Sequence, residues 1–165
     1  TRGAGAQVAL MNPGGIRAAL PQPADGQLRY EDLFSVQPFY NNLVTLTLSG
    51  AQLLQVLEQQ WAGRTDGGRV LHVSQGLSYS WDAARPIGQR LVPGSVRLNG
   101  QPLDPAAPVR VTVNAFLAGG GDSFPLLKEG KDAVTGIMDV DALELYLKAN
   151  PTLVPGPLNR ITRLN

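Results

Sequence analysis

Two short runs in this chain carry the groups best suited to holding a small ligand. The first is Asn12-Pro13-Gly14-Gly15-Ile16-Arg17, at the end of an apolar stretch. Adjacent glycines let the backbone turn sharply and let a ligand approach the peptide closely. Arg17 follows with a rigid fork of donors that suits a carboxylate, a phosphate or a planar polar group. The second is Asn114-Ala115-Phe116-Leu117-Ala118-Gly119-Gly120-Gly121-Asp122-Ser123-Phe124. Bare glycine backbone can lie flat beneath a ligand, Phe116 offers a ring face for stacking, and Asp122 accepts hydrogen bonds from hydroxyls or amines. Read singly, the first run is also a tight turn followed by a surface arginine. The second is also a hairpin with Phe116 and Phe124 in the core. The glycine run lacks the Lys and Ser/Thr of a phosphate-binding P-loop.

The rest of the sequence narrows the chemistry. There is no cysteine and a single histidine, His72. A thiolate nucleophile is therefore excluded, and no His/Asp/Asn cluster has metal-ligand spacing. His72 lies in an apolar run and reads as a structural or edge-strand residue rather than a ligand. Glu31 and Asp32, like Asp139 and Asp141, read as acidic residues at helix starts, where the helix dipole favours them. No paired acid and base and no Gly-x-Ser-x-Gly elbow appear. We therefore expect neither a catalytic nor a metal site in this chain. Formal net charge is +1, from 14 basic and 13 acidic residues spread along the chain. That leaves no basic stripe for nucleic acid. No apolar stretch approaches the roughly 20 residues of a membrane span.

The elements that must position these groups follow from pattern. Length of 165 residues fits one domain over 1–165. Ala6–Met11 reads as a short buried strand. Tyr30–Val36 reads as a short helix or a helical turn, ended by Pro38. Leu43–Leu48 alternates, with Val44, Leu46 and Leu48 on one face. Ser49 and Gln52 form a capping box for a helix to about Trp61, with Leu53, Leu57 and Trp61 on its buried face. Thr65–Gly68 is a turn. Leu77–Trp81, Ser95–Leu98 and Val109–Val113 read as strands, and Asp139–Ala149 as a second clear helix, with Asp139 as N-cap. Arg160–Leu164 closes the chain as a strand, with Arg160 and Arg163 facing solvent. Strands and helices do not alternate regularly. The fold class is α+β, a layered domain with mixed β-sheets and two main helices.

Taken in order, four segments resemble the C-terminal domain of the 5′-nucleotidase / UDP-sugar hydrolase family. They are the Asn-x-Gly-Gly-Ile-Arg run, Gln37-Pro38-Phe39-Tyr40-Asn41-Asn42-Leu43-Val44, Leu48-Ser49-Gly50-Ala51-Gln52-Leu53-Leu54, and the Asn-x-Phe-x-Ala-Gly-Gly-Gly-Asp-x-Phe run. The likeness spans Met11 to about Leu164. The last run is its most specific part. It implies a domain that recognises the nucleoside part of a nucleotide. Substrate-binding positions would be Asn12, Gly14, Gly15, Arg17, Phe116, Gly120 and Asp122. In that scheme Arg17 contacts substrate, Phe116 stacks on the base and Asp122 binds the ribose.

The resemblance further implies a covalently linked N-terminal metallophosphoesterase domain with two divalent metal ions, which hydrolyses the phosphate ester. This chain alone would then be inactive and free of cofactor. The implied location is extracellular, periplasmic or cell-wall associated, and the implied mechanism moves the two domains as rigid bodies about a hinge. The abrupt start at Thr1-Arg2-Gly3-Ala4-Gly5, with no signal peptide, reads as a boundary within a longer protein. Two departures stand out. The family's second base-stacking ring is expected near Arg69–Ser74, which holds no aromatic residue. Ser123 replaces a glycine common in relatives, which is tolerable unless its backbone needs a positive φ. The missing ring motivates an alternative: a non-catalytic module that binds a sugar or a cell-wall component.

Overall fold

The computed structural model describes residues 5–63, 68–154 and 156–165. Thr65–Gly67 of the expected turn lie outside the described residues. The strands β1 (Val8–Met11), β2 (Asn42–Ser49), β3 (His72–Val73), β7 (Pro108–Asn114) and β8 (Lys131–Met138) form a five-stranded sheet. Its order is β3-β1-β7-β2-β8. A four-stranded sheet, in the order β6-β5-β4-β9, is built from β4 (Leu77–Asp82), β5 (Arg97–Leu98), β6 (Gln101–Pro102) and β9 (Ile161–Leu164). Both sheets are mixed: β1 runs parallel to β7 and β4 parallel to β9, while the other pairs are antiparallel. The helices are α1 (Tyr30–Val36), α2 (Gly50–Gln59), α3 (Ala115–Ala118) and α4 (Asp139–Ala149). This is the layered α+β domain expected from the sequence.

Alternation decides which faces meet. Val109, Val111 and Val113 of β7 are all buried, and so are Leu46 and Leu48 of β2 beside them. Val8 and Leu10 of β1 continue that face. Leu53, Val56 and Leu57 of α2, and Trp61 just after it, join the same cluster with Leu77, Tyr79 and Trp81 of β4. The core is thus one continuous cluster joining the two sheets and α2, and each fully buried large apolar side chain is worth roughly 1.5–3 kcal/mol. On the opposite face of the first sheet the buried residues are polar: Thr45 and Thr112 share a hydroxyl hydrogen bond of 2.8 Å.

The α2 start forms as its sequence predicts. Gln52 N–H donates to Ser49 Oγ at 3.1 Å, and Ser49 N–H donates to Gln52 Oε1 at 2.9 Å. Other expectations need correction. Met138, not Asp139, is the N-cap of α4; Asp139 is its first helical residue, and its carboxylate accepts from Val140 N–H at 2.9 Å. Burial pushes the Asp139 carboxyl up, while the amide N–H groups around it and the Asn41 side chain work the other way. The strand expected over Ser95–Leu98 is limited to Arg97–Leu98. Arg160 does not simply face water, since its guanidinium donates to the Val73 carbonyl at 2.9 Å and ties the second sheet to the first. Arg163 lies over the Trp81 ring at 5.3 Å.

Candidate functional site

Strand direction explains why distant residues meet. Because β1 and β7 are parallel, with Val8 beside Val111 and Ala9 beside Thr112, both strands run out at the same end of the sheet. The turn Asn12–Gly15 therefore lies next to Asn114 and α3. β2 is antiparallel to β7, with Leu43 opposite Asn114, so the residues just before β2 arrive there as well. β3 is antiparallel to β1, with Met11 opposite His72, which brings Arg69 to the same end. Four chain segments converge beyond the carboxyl ends of two parallel strands, a common place for ligand sites in sheets of this kind.

They enclose a cavity of about 520 Å³ lined by Asn12, Pro13, Gly14, Gly15, Arg17, Phe39, Asn41, Arg69, Asn114, Phe116 and Asp122. That is enough volume for a nucleoside-sized ligand. Six of the seven predicted binding residues line it. The seventh, Gly120, is not in the lining; its left-handed backbone (φ 81°) turns the chain toward Asp122.

A buried polar relay fixes the geometry. Asn114, 1% exposed, caps α3 by accepting from Leu117 N–H at 2.8 Å. Its amide donates to Asn12 Oδ1 at 2.9 Å, and Asn12 donates to Asp122 Oδ2 at 2.7 Å. The other Asp122 oxygen pairs with the Arg69 guanidinium. Asp122 is therefore held from two sides at the cavity wall. Its backbone and that of Ser123 are left-handed, with φ of 56° and 68°. So the serine that replaces a glycine does sit where glycine is favoured, at a strain of order 1 kcal/mol.

The glycines show close approach. A side chain at Gly15 would meet Asn12 Oδ1 at 2.9 Å and Met11 Sδ at 2.7 Å, so the turn can press onto the relay only without one. At Gly121 a Cβ would fall 2.6 Å from the Phe116 ring, which packs directly on the bare backbone. Phe116 and Phe39 are each 48% exposed at the cavity. Phe124, in contrast, is fully buried in the core. Arg17 lies over the Phe39 ring, 5.7 Å from its centroid, and its N–H donates to the Val36 carbonyl at 2.9 Å.

The second ring at the site is therefore Phe39, from the Pro-Phe segment before β2, and not a residue of the Arg69–Ser74 stretch. That stretch contributes Arg69 instead. Sequence reasoning also missed Asn41 and the structural role of Asn114, although both stand inside runs it had singled out. His72 is an exposed residue of edge strand β3. Among the described residues, no group of three His, Cys, Asp or Glu side chains could hold a metal ion.

A larger cleft of about 680 Å³ lies between α2 and the 86–105 segment, but its lining is chiefly apolar. Its one carboxylate, Glu58, is spent on the backbone N–H groups of Arg90 and Leu91 at 3.0 and 2.7 Å. It offers no converging set of free donors and acceptors, so volume alone does not make it the site.

The profile of the family described as 5′-nucleotidase, C-terminal domain matches residues 1–129. The chain belongs to this family. The crystal structure of a 5′-nucleotidase precursor from Thermus thermophilus is 40% identical and superposes with a TM-score of 0.88, over 100% of this chain and 33% of that one. An apyrase from Tabanus yao is 33% identical over 93% of this chain and 29% of its own length. A 5′-nucleotidase from Vibrio cholerae is 31% identical over 88% of this chain and 24% of its own length. The chain thus spans about a quarter to a third of the length of these three relatives, and it corresponds to the C-terminal domain of 5′-nucleotidase-type proteins.

Proposed function

We propose that the cleft binds the nucleoside part of a nucleotide and that this domain supplies substrate recognition to an exported 5′-nucleotidase-type phosphohydrolase. The base lies between Phe39 and Phe116, Asp122 accepts hydrogen bonds from ribose hydroxyls, and Arg17 faces the anionic end of the substrate. The observation that carries this reading is the meeting of two half-exposed rings, a guanidinium and a twice-anchored carboxylate in one cavity of nucleoside size. Each group suits its part: rings stack on bases whatever their sequence, and a carboxylate accepts from hydroxyl donors.

Hydrolysis belongs, in this reading, to a linked metallophosphoesterase domain whose two divalent metal ions would activate water and neutralise the phosphate. The side chains of the described residues do not fit such a centre, and no hydrolytic step is assigned to this chain. Placement outside the cytoplasm is part of the same proposal. Its support is kinship with a 5′-nucleotidase described as a precursor. Phe39 supplies the ring whose absence motivated the sugar or cell-wall alternative.

Calorimetric titration of the chain with adenosine and with its 5′-monophosphate tests the assignment. We expect saturable one-to-one binding, weakened roughly tenfold or more by Asp122→Ala, because hydrogen bonds to a charged acceptor are worth about 1.5–3 kcal/mol. Affinity for both ligands unaffected by the substitution would rule Asp122 out as a ligand contact.

A further inference from the structure

Asp122 stands on a left-handed turn, with φ of 56°, and its carboxylate could still rotate about its side-chain bonds if nothing held it. Two donors remove that freedom. Asn12 Nδ2 holds Oδ2 at 2.7 Å, and the Arg69 guanidinium holds Oδ1. The two anchors differ in origin. Asn12 is buried and locked through Asn114. Arg69 comes from the other side of the cleft, after α2, with its backbone N–H donating to the Gln60 carbonyl at 2.8 Å. The Asp122 side chain is 12% exposed and that of Arg69 43%. The pair therefore sits at the cavity mouth with its carboxylate mostly covered.

We propose that Arg69 is a positioning residue for Asp122, and that it thereby sets the preference of the cleft for ligands with an intact ribose diol. A carboxylate has about four acceptor sites. With one taken by Asn12 and one by Arg69, two remain, one on each oxygen, and the two anchors fix their direction. A cis-diol presents two O–H donors on adjacent carbons, the pattern that two acceptor sites of one fixed carboxylate can meet together. Without Arg69, Oδ1 loses its partner and the carboxylate can turn about the Asn12 contact, so the pair of acceptors is no longer preset. This role rests on the nucleoside reading and adds to it a residue that acts through Asp122.

The test compares affinities for adenosine and 2′,3′-dideoxyadenosine in the unsubstituted chain, Arg69→Gln, Arg69→Lys, Asp122→Asn and the Arg69→Gln/Asp122→Asn double variant. Loss of one charge-assisted contact predicts that Arg69→Gln weakens adenosine binding about tenfold and dideoxyadenosine binding little. Arg69→Lys, which keeps the charge, should recover most of the discrimination. In the Asp122→Asn background Arg69→Gln should cause no further loss, since the two residues act as one unit. Equal weakening of both ligands by Arg69→Gln, or the same loss in the Asp122→Asn background, would overturn the positioning role and make Arg69 a direct or merely structural contributor. The underlying reading fails separately: binding indifferent to Phe116→Ala removes the nucleoside site itself. Phe116-dependent binding that ignores Arg69→Gln removes only the role of Arg69.

Discussion

Phe116→Ala weakens adenosine binding by about ten- to a hundredfold, and Phe39→Ala does so by a similar factor. Stacking of a base on an aromatic ring is worth about 1–3 kcal/mol by alanine substitution, and each 1.4 kcal/mol is a factor of ten in affinity. The two rings are suited to a clean test because neither belongs to the core: each is about half exposed. Truncation should therefore cost only about 1 kcal/mol of stability, too little to unfold the chain, so a lost affinity reports binding and not unfolding. The two losses differ in one respect. Phe39 also carries Arg17 stacked on its face, so Phe39→Ala frees that guanidinium and should weaken a 5′-monophosphate more than it weakens the nucleoside. Phe116 packs on Gly121 and has no such second task. Titration calorimetry with thermal melts of each variant measures both effects. Undiminished affinity in both variants would mean that the rings do not hold the ligand.

Gln60→Leu has the largest expected effect on stability, about 3 kcal/mol. Gln60 is fully buried among apolar neighbours at the end of α2. Its amide donates to the Leu57 carbonyl at 2.6 Å, and its Oε1 accepts from Leu71 N–H at 2.6 Å and from the Tyr79 hydroxyl at 3.2 Å. Burial pushes the Tyr79 phenol up to about 12, so it stays protonated and keeps donating at neutral pH. Leucine fills the space but leaves two donors and one acceptor without partners, and each stranded buried group costs about 1–3 kcal/mol. For a domain of this size the loss corresponds to a fall of roughly 6–12 °C in Tm. A melt within about 2 °C of the unsubstituted chain would show that the amide is dispensable. The Gln60 side chain holds Leu71 N–H two residues beyond Arg69, while its main-chain carbonyl, which the substitution keeps, holds Arg69 N–H, so any loosening of the Asp122 clamp should come only through the lost Leu71 contact.

Gln60 also marks the boundary of what the sequence discloses. The α2 helix was legible because its capping box and its Leu53, Leu57 and Trp61 stripe are local patterns. Gln60 was not, because nothing in a neighbouring residue says that a glutamine will turn inward and bridge to Leu71 and to Tyr79 of β4, eleven and nineteen positions on. Strand β7 was legible from Val109, Val111 and Val113. Strand β8 was not: residues 131–137 are all exposed, and as an edge strand with β-bulges opposite β2 it carries no apolar alternation.

The site shows the same division. Gly14, Gly15, Arg17, Phe116 and Asp122 stood out because their types and spacing suit a ligand. Phe39 stood in a run that had been singled out, but its place at the cleft follows from the antiparallel pairing of β2 with β7, which no local pattern records. Arg69 gave no signal at all, since an isolated arginine after a turn looks like any solvated charge until the fold sets Asp122 beside it.

The most direct test of the account is a crystal of this chain soaked with adenosine. Density is expected in the 520 Å³ cleft, with the base between Phe39 and Phe116 and the ribose hydroxyls on Asp122. Adenosine seated instead in the apolar cleft beneath α2, or found in the predicted cleft with its base away from both rings, would contradict it.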